Sequence, residues 1–183
     1  MKVWTVWITG LPGSGKSTIA QSLHQRLERN GIPSQILAMD MLRQAMTPEP
    51  TYSEEERRSV YATIVFIAKL LNQNGINVII DATGNLREYR QRARQEIKNL
   101  IIAYAKCPIE TSMERESERL DSQGAPRQIY RKGLEGRSST VPGINVPYEE
   151  PLDAEVIVET DKMTPTESAQ KIIDTIITRF EEQ

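Results

Sequence analysis

The chain has 183 residues, 38% hydrophobic and 26% charged, with a formal net charge of −2. That length suits a single domain over 1–183 with a sizeable core, and the charge is too low for a nucleic-acid partner held by a global basic field. One cysteine, Cys107, excludes an internal disulfide or a cysteine metal cluster and suits a cytoplasmic location, and no run approaches the roughly 20 apolar residues of a membrane span.

The segment Val3–Thr9 is apolar and β-prone and predicts a buried strand, with Trp4 and Trp7 packing the sheet. It arrives too soon at a glycine-rich loop to be a secretion signal. That loop, Gly10-Leu11-Pro12-Gly13-Ser14-Gly15-Lys16-Ser17-Thr18, fits G-x-x-x-x-G-K-[ST]. Its glycines let the backbone come close to a ligand. Its N–H groups and the following helix N-terminus then face a polyphosphate, Lys16 reaches the β/γ-phosphates, and the Ser17 hydroxyl can coordinate Mg²⁺. Ile19, Leu23 and Leu27 follow at helical spacing, which predicts a helix from Gly15 to about Asn30, with Gly31 as its C-cap and His24 as a structural residue.

Ser34–Ala38 reads as a second strand running out to Asp40, and Thr47-Pro48-Glu49-Pro50 as a surface loop. Ser53 and Glu56 form a capping box for a long helix to about Asn74, with Val60, Ile64, Ile67, Ala68 and Leu71 on its buried face. Asn77–Ile80 is a third strand ending at Asp81. The turn Thr83-Gly84-Asn85 leads into an Arg-rich helix over 87–98, then a fourth strand, Leu100–Ala105. A helix from Thr111 to about Leu120, a loop at Asp121–Ala125 and a basic stretch from Arg127 to Arg137 follow. Ser138–Pro151 is irregular, Glu155–Glu159 is a last strand, and Thr164 and Glu167, with Pro165 between them, open a C-terminal helix.

Strands alternating with helices predict an α/β, three-layer P-loop NTPase-type fold with a parallel sheet of about five strands. Ligands in such sheets sit beyond the carboxyl ends of the strands, where the loop, Asp40 and Asp81 all fall. Asp81 could hold Mg²⁺ and Asp40 could orient an acceptor hydroxyl; the alternative is that both cap helices. Arg43 and Arg57 could hold an anionic acceptor or be solvated surface arginines. Arg115, Arg119, Arg127 and Arg131 could form a mobile lid over ATP, about 111–137, or a helix face of Glu–Arg pairs with Glu114, Glu116 and Glu118. Cys107 reads as a buried thiol. The absence of N-K-x-D leans towards ATP over GTP.

Several motifs extend this into a resemblance to the adenylylsulfate (APS) kinases. Gly10–Thr18 matches that family's G-L-x-G-S-G-K-S-T. Ala38–Arg43 keeps the second Asp and the Arg of D-G-D-N-x-R, and Tyr52–Arg57 is similar to F-S-x-x-D-R. Ala68-Lys69-Leu70, Arg127–Gly133 and Val141–Pro151 are similar to A-K-L, K-G-L-Y-K-K-A and F-T-G-I-x-x-P-Y-E-x-P. The resemblance implies an ATP- and Mg²⁺-dependent kinase acting on the 3′-hydroxyl of adenosine 5′-phosphosulfate. Arg87 (from the I-S-P-Y-R turn) and Ile144 would join Arg43 and Arg57 around the substrate, and a homodimer is allowed. The pattern departs at Ala38, at Ser59-Val60-Tyr61-Ala62 where the family has E-N-x-R, at Thr83–Leu86, and at Val141 where it has Phe. Another hydroxyl acceptor (a sugar, nucleoside, antibiotic or polynucleotide 5′-end) and a non-catalytic nucleotide-binding module are the competing readings.

Overall fold

The strand β1 (Thr5–Thr9) is buried along its whole length and lies at the centre of the sheet. A computed structural model describes residues 2–119 and 126–180. The remaining strands are β2 (Ser34–Ala38), β3 (Asn77–Asp81), β4 (Leu100–Lys106) and β5 (Val156–Glu159), in the order β2-β3-β1-β4-β5, and every pairing is parallel. Strands buried on both faces explain why β1, β3 and β4 read as continuous apolar runs.

Alternate residues of β1 sort into two layers. Val6 and Ile8, with Trp4 just before the strand, pack with Ile19 and Leu23 of α1 (Lys16–Arg29) and Ile172 of α7 (Pro165–Phe180). Trp7 faces the other way, to Val60 and Ile64 of α3 (Glu54–Gln73) and Ala93 of α4 (Arg87–Glu96). Its ring and that of Tyr89 flank Tyr61, with centroids 5.9 and 4.3 Å from the Tyr61 ring. The buried face of α3 is therefore turned from the expected one: Tyr61 and Val65 are buried with Val60, Ile64 and Ala68, while Ile67 and Leu71 are half-buried. Packing on both the sheet and a neighbouring helix moves the apolar stripe.

The two capping boxes differ. At α7 the box is reciprocal, Glu167 N–H donating to Thr164 Oγ1 (3.2 Å) and Thr164 N–H to Glu167 Oε2 (2.8 Å). At α3 only half forms. Ser53 Oγ accepts from Glu56 N–H (3.2 Å), a cap worth about 1 kcal/mol. The Glu56 carboxylate instead accepts from Thr51 N–H (2.6 Å) and Tyr52 N–H (3.2 Å) and pairs with Arg43 on α2 (Met39–Met46). The Ser53 N–H it would have bound points to Thr51 Oγ1 (3.3 Å).

After β4 come α5 (Ile109–Glu118) and the short α6 (Ile129–Leu134). The expected loop at Asp121–Ala125, and Leu120 before it, lie outside the described residues. The stretch from Ser138 to Pro151 is irregular as expected, with one bridge between Pro142 and Val146. His24 ties α1 to β2 through Ser34 Oγ (2.8 Å).

Candidate functional site

The loop after β1 is shaped by its glycines. Gly13 has φ +80°, and a Cβ there would collide with the Ser112 carbonyl of α5; Gly15 has φ +91° and stands at the N-cap of α1. A tyrosine from outside the loop braces it, Tyr130 of α6 donating its O–H to the Pro12 carbonyl (2.8 Å). Lys16 is buried, and its Nζ donates to the Leu11 carbonyl (2.9 Å). Pro12, Gly13 and Gly15 to Thr18 line a cleft of about 860 Å³, while Gly10, Leu11 and Ser14 do not line it.

The acids follow from the strand order. Asp81 closes β3 in register with Ile8 of β1 and Ala38 of β2, so it stands between the phosphate loop and the end of β2. The Ser17 hydroxyl lies near enough to its carboxylate to act against the rise in its pKa. Asp40 lies in the first turn of α2, where Ala38 holds the N-cap position, and Asp81 lies well before Leu86, the N-cap position of α4. Neither acid is a helix cap. Burial raises the pKa of both above the ordinary carboxylate range, against the opposing pull of Lys16 and, at Asp81, of the Ser17 hydroxyl. Burial also lowers Lys16, with Asp81 and then Asp40 acting to raise it. The three form one charge cluster, and a dianionic or more highly charged ligand would reset all three.

Across the cleft, Arg43 and Arg57 are 6% and 8% exposed and both line the wall, which excludes the solvated-surface alternative. The Tyr52 ring lies under both guanidiniums, 4.7 Å from Arg43 and 5.9 Å from Arg57. Tyr52 has φ +54°, a left-handed conformation that a bulky residue adopts only when its surroundings enforce it. The Glu56 carboxylate and Arg57 do so: Arg57 Nε donates to the Tyr52 carbonyl (3.0 Å), Nη1 to Asn85 Oδ1 (3.3 Å) and Nη2 to the Thr140 carbonyl (2.6 Å). Arg57 thus ties three segments of this wall together, and Val141 and Tyr61 complete it.

Two expected substrate residues lie elsewhere. Arg87 is half-buried outside the cleft wall, its Nε donating to the Glu150 carbonyl (2.9 Å) and its N–H to Glu149 Oε2 (2.7 Å). Ile144 is half-buried in the tight turn that begins at Val141, its N–H donating to the Val141 carbonyl (3.2 Å), and does not line the cleft either. The buried arginine of α4 is Arg90, one turn after Arg87, which donates to the carbonyls of Gly84 and Glu149 and packs 5.9 Å from the Tyr148 ring. Its place on the apolar face with Tyr89 and Ala93 was the available signal.

The four arginines expected to form a lid divide. Arg115 and Arg119 line the cleft, and the charge of Arg119 is felt by Lys16, Asp40 and Asp81. Arg115 binds Thr160 rather than a glutamate, through Oγ1 (3.2 Å) and the carbonyl (2.9 Å). Arg131 is a solvent-facing partner of Glu135 four residues on (2.8 Å), as the bland alternative had it, though with a different glutamate. Arg127 is exposed and off the cleft wall. Lys132 and Arg137, indistinguishable from background in the sequence, do line it.

One wall of this cleft is thus built for a polyphosphate and the other from buried cations and aromatic rings, with two carboxylates between them. That is the architecture of a P-loop phosphotransferase. A family model described as adenylylsulphate kinase matches residues 2–159. The chain is 36% identical to the "Probable adenylyl-sulfate kinase" of Archaeoglobus fulgidus, over 87% of this chain and 97% of that one, and 34% identical to the adenylyl-sulfate kinase of Rippkaea orientalis, over 92% and 88%. Its backbone is similar to that of the Mycobacterium tuberculosis APS kinase in complex with AMPPNP and APS, with a TM-score of 0.85 at 27% identity, covering 96% of this chain and 98% of that one. The chain belongs to the adenylylsulphate kinase family.

Proposed function

We propose that the chain transfers the γ-phosphoryl group of ATP to the 3′-hydroxyl of adenosine 5′-phosphosulfate. The observation that carries this reading is the two-walled cleft around Lys16, Asp40 and Asp81, in a chain similar over nearly its whole length to a kinase whose structure holds a nucleotide and APS. No helix among the described residues is long and apolar enough to cross a membrane.

In this reading the loop N–H groups and Lys16 hold the β- and γ-phosphates. Asp40 accepts a hydrogen bond from the 3′-hydroxyl and aims its oxygen at the γ-phosphorus. The new O–P bond forms as the bond to the β,γ-bridging oxygen breaks; ADP leaves and the hydroxyl proton passes to Asp40. Arg119 and Arg115 offset charge on the transferred group, and the segment bearing α5 and α6 closes as the lid. Arg43, with Tyr52, faces the anionic acceptor from the opposite wall.

The residues fit Mg²⁺. Ser17 and Asp81 are hard oxygen donors that lie near each other, and both line the cleft beside the loop. Mg²⁺ is usually held by one or two carboxylates plus substrate phosphates and water rather than by an all-protein cage. Ser17 and Asp81 would hold the ion, which neutralises phosphate charge.

One observation favours a second reading, the same transfer to another hydroxyl: Val141 offers the acceptor wall no π face where a base would stack. Lys16→Ala and Asp40→Asn test the donor and acceptor roles separately. Lys16→Ala should weaken ATP binding; Asp40→Asn should lower kcat by about 10²–10⁴-fold with ATP affinity nearly unchanged. Wild-type turnover in Asp40→Asn would show that the acid is misassigned.

A further inference from the structure

The basic residues that line the cleft are nearly all bonded to the protein itself. Lys16 donates to the Leu11 carbonyl (2.9 Å), Arg115 to the Thr160 carbonyl (2.9 Å) and Arg119 to the Pro126 carbonyl (3.2 Å). Arg43 is paired with Glu56 and Arg137 with Glu135, while Arg57 uses each of its three nitrogens to join Tyr52, Asn85 and Thr140. Lys132 is the exception. It lines the cleft, and its ammonium has no hydrogen-bond or ion-pair partner among the described residues. It is also half-buried, so this charge is held in the wall of the cleft and not out in bulk water.

The backbone around Lys132 fixes which wall it belongs to. Ile129 and Lys132 are three residues apart on α6, hence on one face, and both line the cleft. Tyr130 and Gly133 are buried, Tyr130 against Pro12 and Gly133 so close to the acceptor wall that a Cβ there would stand 3.1 Å from Val141 Cγ2. The Lys132 carbonyl accepts from the N–H groups of Arg137 (2.8 Å) and Ser138 (3.0 Å). That segment runs on to Thr140, whose carbonyl Arg57 holds (2.6 Å). Lys132 therefore stands where α6 joins the wall of Arg57, Thr140 and Val141. An ammonium suits an anion met there, being a compact charge with three rotatable donors that needs no planar match to two oxygens.

We propose that Lys132 is an anion-binding residue of the acceptor site, its Nζ donating to the oxygens of the acceptor's phosphosulfate group. The proposal deepens the acceptor reading and rests on it for the presence of that anion. It assigns the charge recognition to the cation with donors to spare, and leaves Arg57 to hold the wall in shape.

The experiment is titration calorimetry on the full chain with two probes, AMPPNP–Mg²⁺ alone and then APS added to the chain saturated with it. Wild type is compared with Lys132→Met, Lys132→Gln and Lys132→Glu. The two neutral variants should each bind APS about ten-fold more weakly, the loss of one hydrogen bond to a charged group. Lys132→Glu should bind it more weakly still. All three should keep the wild-type affinity for AMPPNP, which also shows that they are folded; two neutral variants guard against one that is not. Unchanged APS affinity in the neutral variants would overturn the proposal, as would a Glu variant no weaker than they are. An equal loss of both ligands at an unchanged melting temperature would overturn it too, placing Lys132 at the donor phosphates. A wild-type chain that binds AMPPNP but not APS would overturn the acceptor reading together with this proposal, whereas the other outcomes leave that reading standing.

Discussion

Asp40 lies at a helix start, where the dipole favours a negative charge, yet burial holds its pKa above the ordinary carboxylate range despite Lys16, Arg119 and Arg43. The sign of the pH effect follows. A transfer that needs ionised Asp40 is slow below that raised value and gains rate as pH climbs through it. The acid limb of the kcat/KM profile, which reports the free enzyme, should therefore lie above the roughly 3.9 of a free Asp, and Asp40→Asn should remove the limb and lower kcat by about 10²–10⁴-fold. A profile unchanged in the variant would place the titrating group elsewhere.

Glu56 makes a different kind of claim at the same scale. It and Arg43 have side chains only 11% and 7% exposed. Burial would raise the Glu56 pKa, but hydrogen bonds from Thr51 and the charge of Arg43 outweigh it, and the net shift is downward. Its stabilising contribution is present above an ordinary Glu pKa and is lost as pH falls through the depressed value. Removing it with Glu56→Ala leaves a buried guanidinium without its carboxylate and should cost about 3 kcal/mol in urea unfolding at pH 7, and less at pH 3. An equal cost at both pH values would mean that the ion pair is not the cause. From the sequence Glu56 read as the closing partner of a capping box. That misreading was local in origin, since a four-residue motif cannot register a buried arginine arriving from α2.

Among the elements, α6 shows how a short helix can act on the site without touching ligand. Tyr130 braces the phosphate loop from below through Pro12. Losing one such hydrogen bond of about 1 kcal/mol in Tyr130→Phe should raise KM for ATP several-fold and leave KM for the acceptor unchanged. A fall in melting temperature with both constants unmoved would reduce Tyr130 to a packing residue. The elements themselves were legible because their signals are local: the apolar runs of β1, β3 and β4, the glycine loop, the reciprocal box of Thr164 and Glu167. Choices between neighbours on one helix were not. Arg87 and Arg90 are equally plausible in an Arg-rich stretch, and only the packing of α4 on the sheet decides that Arg90 goes inside. The same holds for Arg115 and Arg119 against Arg127 and Arg131.

At the level of the whole molecule, the parallel sheet and its ligand edge could be read from strand–helix alternation, but the order β2-β3-β1-β4-β5 could not, because alternation says nothing of which strands are neighbours. That order is what puts Asp81 between Ala38 and the phosphate loop and brings Asp40 within the field of Lys16. The donor wall was therefore visible in nine consecutive residues, whereas the acceptor wall is assembled from α2, α3, the turn at Asn85 and the Thr140–Val141 segment, each far apart in the chain. Its chemistry is also where the sequence departs from the family pattern, at Ser59-Val60-Tyr61-Ala62 and at Val141. The central claim is thus a claim about the acceptor, and an acceptor panel tests it most directly: ATP–Mg²⁺ with APS, nucleosides and sugars in parallel, the phosphorylated product identified by mass. The account predicts ADP formation that depends on APS and a product bearing one added phosphoryl group on the 3′-oxygen. Turnover with a sugar or nucleoside but none with APS would contradict it.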